Sequence, residues 1–490
     1  MAIILATGML GGCVVGPDYQ RPETVAPEHF RLQAAVEQRQ AASHADLGQW
    51  WDGFGDLLLS RFVGLAQQQN LELAQASARV EQARAMLSMT TVELLPSAGA
   101  SAQAAKAYQS VETPLGRVLN STPGFDRHGS AYEVEIGASW ELDIFGGLRR
   151  RREAAAAGYG ASEAGAAATR LLVMAQTADT YITIRGLQAR LKIARSQVEI
   201  QQDLLSSVRL LRDHELSADR EVWQAEATLA QARASIPALE SALAVSGNAL
   251  DVLLGMPPGT YEAALVEPAE IPVAPRIADI GSPADVLRRR PDLAAAERQL
   301  AASNAQIGAA VAEYFPKFSL NAMIGSAATS ESALLSAGSS QGLGMLGFRW
   351  RLFDFGRINA QIAAAKGRNA EMLAAYRLAV LRATEDVENA FSTLLGREQQ
   401  LAEFNRMVLA LDRERGASAT AYEKGQVSRI ELLHAQDRLL RASDARAQTQ
   451  AAAALAAITT FKALGGGWES ATAKLAANGG ADVSRFRALD

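Results

Sequence analysis

A chain of 490 residues that sets 48 Lys and Arg against 53 Asp and Glu carries a formal net charge of -5, and so lacks the basic excess that nucleic-acid binding demands. Its single Cys excludes an internal disulfide, and its five scattered His show no Cys/His spacing suited to a metal. With no G-x-S-x-G, H-E-x-x-H, P-loop or dinucleotide fingerprint, neither an enzyme nor a cofactor is expected.

The chain opens with "MAIILATGML", an apolar run about half as long as a membrane-spanning helix needs. Residues 1–12 read as a signal peptide, and the lack of Lys or Arg among them points to a start truncated upstream. Leu10-Gly11-Gly12-Cys13 resembles the lipobox of bacterial lipoproteins, which would make Cys13 the site of lipid attachment (palmitate) and residues 13–60 a lipidated N-terminal segment. The alternative is a buried structural Cys. Val14 and Val15 follow the Cys where an Asp would resemble an inner-membrane retention signal, which favours the outer membrane. Further on, Trp50, Trp51 and Phe54 read as a patch buried against helices rather than an interaction surface.

The chain then repeats itself. At an offset of 220, Leu73, Val80, Ala85, Leu87, Glu93 and Pro96 fall on Leu293, Leu300, Ala305, Ile307, Glu313 and Pro316. At an offset of 210, Trp140, Leu142, Phe145 and Gly146 fall on Trp350, Leu352, Phe355 and Gly356. One register surviving over such a distance implies a tandem duplication. The first repeat covers 61–255, with a helix, a β-hairpin over 97–142 and a long helical hairpin over 148–255. Residues 256–283 are a Pro-rich linker with room for a short strand at its centre. The second repeat covers 284–465, with a β-hairpin over 317–352 and a helical hairpin over 357–465, and residues 466–490 form a loosely ordered tail.

Within each repeat the hydrophobic period switches. "AYEVEIGASWEL" alternates Tyr132, Val134, Ile136, Ala138, Trp140 and Leu142 against Glu133, Glu135, Ser139 and Glu141. Its partner alternates Gly344, Leu346, Phe348, Trp350 and Leu352 against Leu343, Met345, Arg349 and Arg351, while Phe318, Leu320, Ala322 and Ile324 share a face of a third strand. "SAGASAQAAKAY" is the weakest of the four. Each run has the length of a tilted membrane strand, although a soluble sheet with one face on a core would alternate alike.

Between the strands the chain is helical and long. From Arg149 to Asp213 there is no Pro, so one helix could extend roughly 100 Å. Leu187, Leu191, Ala194, Val198, Gln201, Leu205 and Val208, then Val222, Ala225, Leu229, Ala232, Ile236, Leu239 and Leu243, step by four and three as a coiled-coil seam does. Leu401, Phe404, Val408 and Leu411 continue it less regularly in the second repeat. Pro237 is expected to bend its helix or shift its packing, and Ser217 and Ser428 to cap the helices that return from each hairpin tip.

This order of elements, with "GCVVGPDYQRP", "LLP" and "YFP" before the strands, "DIFG" and "FDFG" after them, and "YEKGQVSRIELLHAQ", resembles the TolC-like outer membrane efflux factors, in their lipoprotein (OprM/NodT-like) branch. The fold class expected is mainly α with membrane β. The resemblance implies a homotrimer whose twelve-stranded outer-membrane β-barrel continues into a periplasmic α-barrel. It also implies a passive exit duct in tripartite, multidrug-type efflux, with a periplasmic adaptor and an inner-membrane RND-type pump as partners. Strand number argues the same way, since four strands cannot close a barrel and three chains give twelve strands and an open lumen. A lipid-anchored coiled-coil stalk and the exit channel of a type I secretion system are the competing readings.

Charge on a lipid-facing strand surface costs about 2–4 kcal/mol at mid-bilayer, so Glu133, Glu135, Glu141, Arg349 and Arg351 are expected to face the lumen. The resemblance places a periplasmic gate at Glu431 and His434, three apart on one helix face, where symmetric copies would make rings. His434 departs from the acidic residue usual in the family and adds a group that titrates in the neutral range. The plainer reading of both is an exposed salt-bridging face. Arg149 to Arg152 opens a helix at its positive end, which calls for compensation by anionic lipid headgroups or acidic neighbours.

Overall fold

The computed structural model describes residues 14–23, 27–39, 43–277 and 280–467. The chain divides into two compact units, one of Met1–Pro22, Val80–Ala161 and Ala296–Tyr376, the other of Glu23–Arg79, Ser162–Ala295 and Arg377–Asp490. A single order of elements occurs twice. Helix α1 (Leu71–Val92) leads to strands β1 (Ser97–Tyr108) and β2 (His128–Leu142), then to helices α2 (Gly147–Asp213) and α3 (Asp219–Leu253). Helix α4 (Pro291–Ala312) leads likewise to β3 (Lys317–Ala328), β4 (Ser340–Arg349), α5 (Phe355–Glu423) and α6 (Arg429–Ala463). No helix among the described residues is long and apolar enough to cross a membrane.

The first unit is built on a four-stranded antiparallel sheet in the order β1-β2-β3-β4. Register sorts its side chains by the period of two that the sequence shows. Val134, Ile136, Trp140, Phe318, Leu320, Ile324, Leu346 and Phe348 share one face, and Ile136 lies opposite Ile324 as Phe318 does opposite Phe348. Strand β1 is exposed along its whole length and contributes Ala98, Ala100, Ala102 and Ala104 to the same face.

The repeated motifs form the foot of this sheet. Pro96 and Pro316 stand between helix and strand, where a residue preceding Pro is driven out of helical geometry. Just upstream, Leu94 and Tyr314 each offer a carbonyl to a Trp, with Trp140 Nε1 donating to the first and Trp350 Nε1 to the second, both at 3.0 Å. Phe145 stacks on Phe315 with ring centroids 4.6 Å apart, and Tyr314 on Phe355. Strand β4 ends at Arg349, short of the Leu352 to which the alternation runs, because Trp350 is already turned to Tyr314 and the chain must bend into α5.

The second unit holds an apolar core in which Trp50, Trp51 and Phe54 are buried, Trp50 stacking on Phe461 at 5.5 Å. Helix Leu57–Gln69 starts at Asp56, whose carboxylate accepts from the Leu58 and Leu59 amides and from Tyr181 O–H at 2.6 Å. In the linker, Arg276–Ile277 makes a two-residue parallel bridge with His44–Ala45, nearer its end than its centre. Along the α2/α3 hairpin the seam is as spaced. Leu205, Val208, Val222, Ala225 and Leu229 form a buried cluster, each Leu or Val side chain contributing about 1.5–3 kcal/mol by leaving water. Pro237 sits inside an unbroken α3.

Both hairpin tips close in one way. Leu216 N donates to Leu211 O and Gln426 N to Ala421 O, each at 2.8 Å, the six-to-one bond of a Schellman turn. The left-handed residue that this turn requires is Gly425 (φ 70°) in one hairpin and Glu215 (φ 61°) in the other. Ser428 caps α6 through the Glu431 amide at 3.2 Å. Ser217 does not cap α3, since Ala218 holds that position and the Ser217 hydroxyl donates to the Glu221 carboxylate instead.

Candidate functional site

The face of the sheet opposite the apolar one carries the predicted charges. Glu133 accepts from the side-chain amides of Gln103 on β1 and, at 2.9 Å, of Gln341 on β4, and Glu135 accepts from Ser101 Oγ at 3.1 Å. Gln341 reaches Glu133 past Gly325, where a Cβ would stand 2.4 Å from the Val134 carbonyl oxygen. Ser139 Oγ donates to Asn321 at 2.8 Å, and Glu141 lies opposite Ser319 on this same face. Toward β4 the face becomes less polar, with Met323, Leu343 and Met345 in the same rows. Arg349 ends it, opposite Lys317.

Arg351 lies beyond the strand and pairs with Glu313 at 3.2 Å. Glu313 is a hub, for Lys317 reaches it at 2.8 Å and Arg151 at 3.4 Å. Burial pushes its carboxyl upward, but the Lys317 hydrogen bond and the charges of Lys317, Arg351 and Arg151 outweigh that and hold it below the ordinary Glu range. Sequence reasoning used Glu313 only as a repeat marker.

The arginines that open α2 are compensated by acidic and polar neighbours. Asp143 caps the helix, accepting from the Leu148 and Arg149 amides at 3.0 and 2.9 Å and from Arg149 Nε at 3.2 Å. Arg150 is buried, donates to the Val15 and Gly16 carbonyls, and pairs with Asp18 and Glu153, both at 2.7 Å. Arg151 takes Glu313, and Arg152 donates to Thr91 Oγ1 at 3.1 Å.

Arg150 thereby straps the N-terminal segment to the foot of the sheet. Val15 N donates to Phe145 O at 3.2 Å, Asn304 Nδ2 donates to Pro17 O at 3.1 Å, and Arg21 pairs with Glu297 at 3.2 Å. Close approach demands glycine here, since a Cβ on Gly16 would lie 2.3 Å from Gly308 Cα and one on Gly308 2.8 Å from the Arg150 side chain. Cys13 falls outside the described residues, two positions before Val15.

At the tip of the second hairpin, Glu431 and His434 are both exposed on one face of α6, and neither side chain makes a hydrogen bond or ion pair among the described residues. Other residues of α6 tie it to α2. Arg429 pairs with Asp203 at 2.8 Å, Gln201 donates to the buried Asp437 at 2.9 Å, and Arg190 pairs with Asp444 at 2.8 Å.

Over most of its length, at residues 62–256 and 283–466, the chain is matched by a sequence family described as outer membrane efflux protein. The chain belongs to this family. As an outer membrane efflux protein it is a channel component of efflux. It is 29% identical to nodulation protein T of Rhizobium leguminosarum bv. viciae over 91% of this chain and 88% of that one. It is 30% identical to the probable outer membrane lipoprotein SilC of Salmonella typhimurium over 94% and 97%. Among solved structures, the outer-membrane channel OprN superposes with a TM-score of 0.82 at 31% identity, covering 93% of this chain and all of that one. The open state of the MtrE channel of Neisseria gonorrhoeae gives 0.80 at 26%, covering 93% and 99%.

Proposed function

We propose that three copies pool their four-stranded sheets into one twelve-stranded barrel through the outer membrane, and that their helical hairpins continue the bore into the periplasm. The observation that carries this is the two-faced sheet with unpaired β1 and β4 edges. Its apolar face is exposed, with Ile324 65% and Leu346 68% accessible, while the other face is a network of Glu, Gln, Ser and Asn. An edge strand left open invites pairing, and closure with sister subunits removes it. On this reading Glu133, Glu135, Glu141, Arg349 and Arg351 line or flank the water-filled lumen, and the repeats arose by duplication. A lipid-anchored stalk would leave the apolar face without a role.

The strap at residues 14–18 supports acylation at Cys13, because it holds the chain at the foot of the sheet, where acyl chains on Cys13 would enter the membrane beside the barrel. At the tip of the second helical hairpin, three copies of Glu431 and His434 would form rings and narrow the bore. Exposed Leu216 and Trp223 at the hairpin turn offer an apolar contact for a periplasmic adaptor that opens the duct toward an inner-membrane RND-type pump. The test is single-channel recording on the reconstituted protein. Glu431→Gln raises conductance at the closed tip, and an unchanged conductance removes Glu431 from the gate.

A further inference from the structure

At the foot of the polar face the charges do not balance locally. Arg151, Lys317, Arg349 and Arg351 gather around one carboxylate, Glu313, which already serves Arg151, Lys317 and Arg351. The Arg349 side chain makes no hydrogen bond or ion pair among the described residues, yet register sets it directly opposite Lys317, an arrangement of like charges that destabilises an antiparallel pair. Glu141 lies diagonally along this face from Lys317 and forms no ion pair with it. Lys317, Arg349 and Arg351 line a hollow of about 290 Å³ with Glu313 and Phe315. We propose that this hollow binds a small oxyanion, a phosphate or carboxylate group, with Arg349 and Arg351 as its chief donors. Planar guanidinium groups match such anions with paired N–H donors, and Arg349 has its donors uncommitted. The site belongs to the face assigned above to the lumen, and rests on that face being wetted.

Full-length protein in detergent, titrated with inorganic pyrophosphate and followed by calorimetry, should show saturable binding that weakens as salt rises. Arg349→Gln should weaken it at least tenfold. This substitution removes no side-chain hydrogen bond or ion pair among the described residues, so folding should be preserved, whereas Arg368→Gln, remote in the same unit, should leave affinity unchanged. Native mass spectrometry of protein extracted with phosphatidylglycerol supplies the second arm. Retention of that lipid by wild type and its loss in Arg349→Gln, without pyrophosphate binding, assigns the oxyanion to a headgroup and puts the hollow at the membrane surface, against its place in the lumen. Equal behaviour of wild type and Arg349→Gln toward both probes overturns the site. Conductance is a separate readout, for protein that binds pyrophosphate and passes no current refutes the duct and leaves the site standing.

Discussion

Asp179 on α2 is a carboxylate in an unfavourable place. Burial raises its pKa to about 6, with Lys462 opposing, and its Oδ1 has no hydrogen-bond partner among the described residues. A carboxyl raised in the folded state binds more protons there than when unfolded, so its contribution is most favourable below pH 4 and declines as pH rises to about 6. A shift of that size is on the order of 2–3 kcal/mol. Asp179→Asn should therefore be more stable than wild type at pH 7, and the difference should vanish toward pH 4, as thermal unfolding across that range would show. Glu215 poses a backbone version of the problem. It occupies the left-handed position that Gly425 fills in the other hairpin, at a cost of about 1–2 kcal/mol for a side chain. Glu215→Gly should recover part of this, roughly 0.5–1 kcal/mol after the entropy of a glycine is charged against it. Denaturant midpoints of the two proteins give the answer, and Gly425→Glu should move the opposite way.

Elements were legible wherever a period repeats. The alternation about Val134 and Ile136 and the seam through Leu205 and Leu229 depend on burial along one face, which leaves its record in every second, third or fourth residue. The strap at residues 14–18 was not legible, because an irregular segment held by one Arg and close Gly contacts has no period at all. The hub at Glu313 was hidden for a related reason, its partners coming from α2, β3 and the turn after β4. Gly325 shows how a sheet is tuned by a residue that periodicity ignores. A Cβ there would press on the β2 backbone, whereas at Gly344 nothing stands within 4 Å. Gly325→Ala should destabilise the sheet by about 1–3 kcal/mol and Gly344→Ala should be near neutral, as resistance of the folded protein to heating in detergent would report.

For the whole molecule, the decisive question is which face of the sheet meets lipid, and two adjacent residues answer it. Ile324 points from the apolar face and Met323 from the face of Glu135 and Gln341, so one substitution tests lipid and the other tests water. A lysine costs about 2–4 kcal/mol against lipid at mid-bilayer, and in the proposed trimer that cost is incurred three times. Ile324→Lys should therefore reduce outer-membrane assembly severely, while Met323→Lys should assemble and shift the channel toward anions, because three added cations face the bore. Mass measurement in detergent should find three copies of the chain in the wild type and in Met323→Lys. If the two variants exchange these behaviours, the faces are inverted. Equal tolerance of lysine at both positions would mean that neither face meets lipid, and the shared barrel would have to be abandoned.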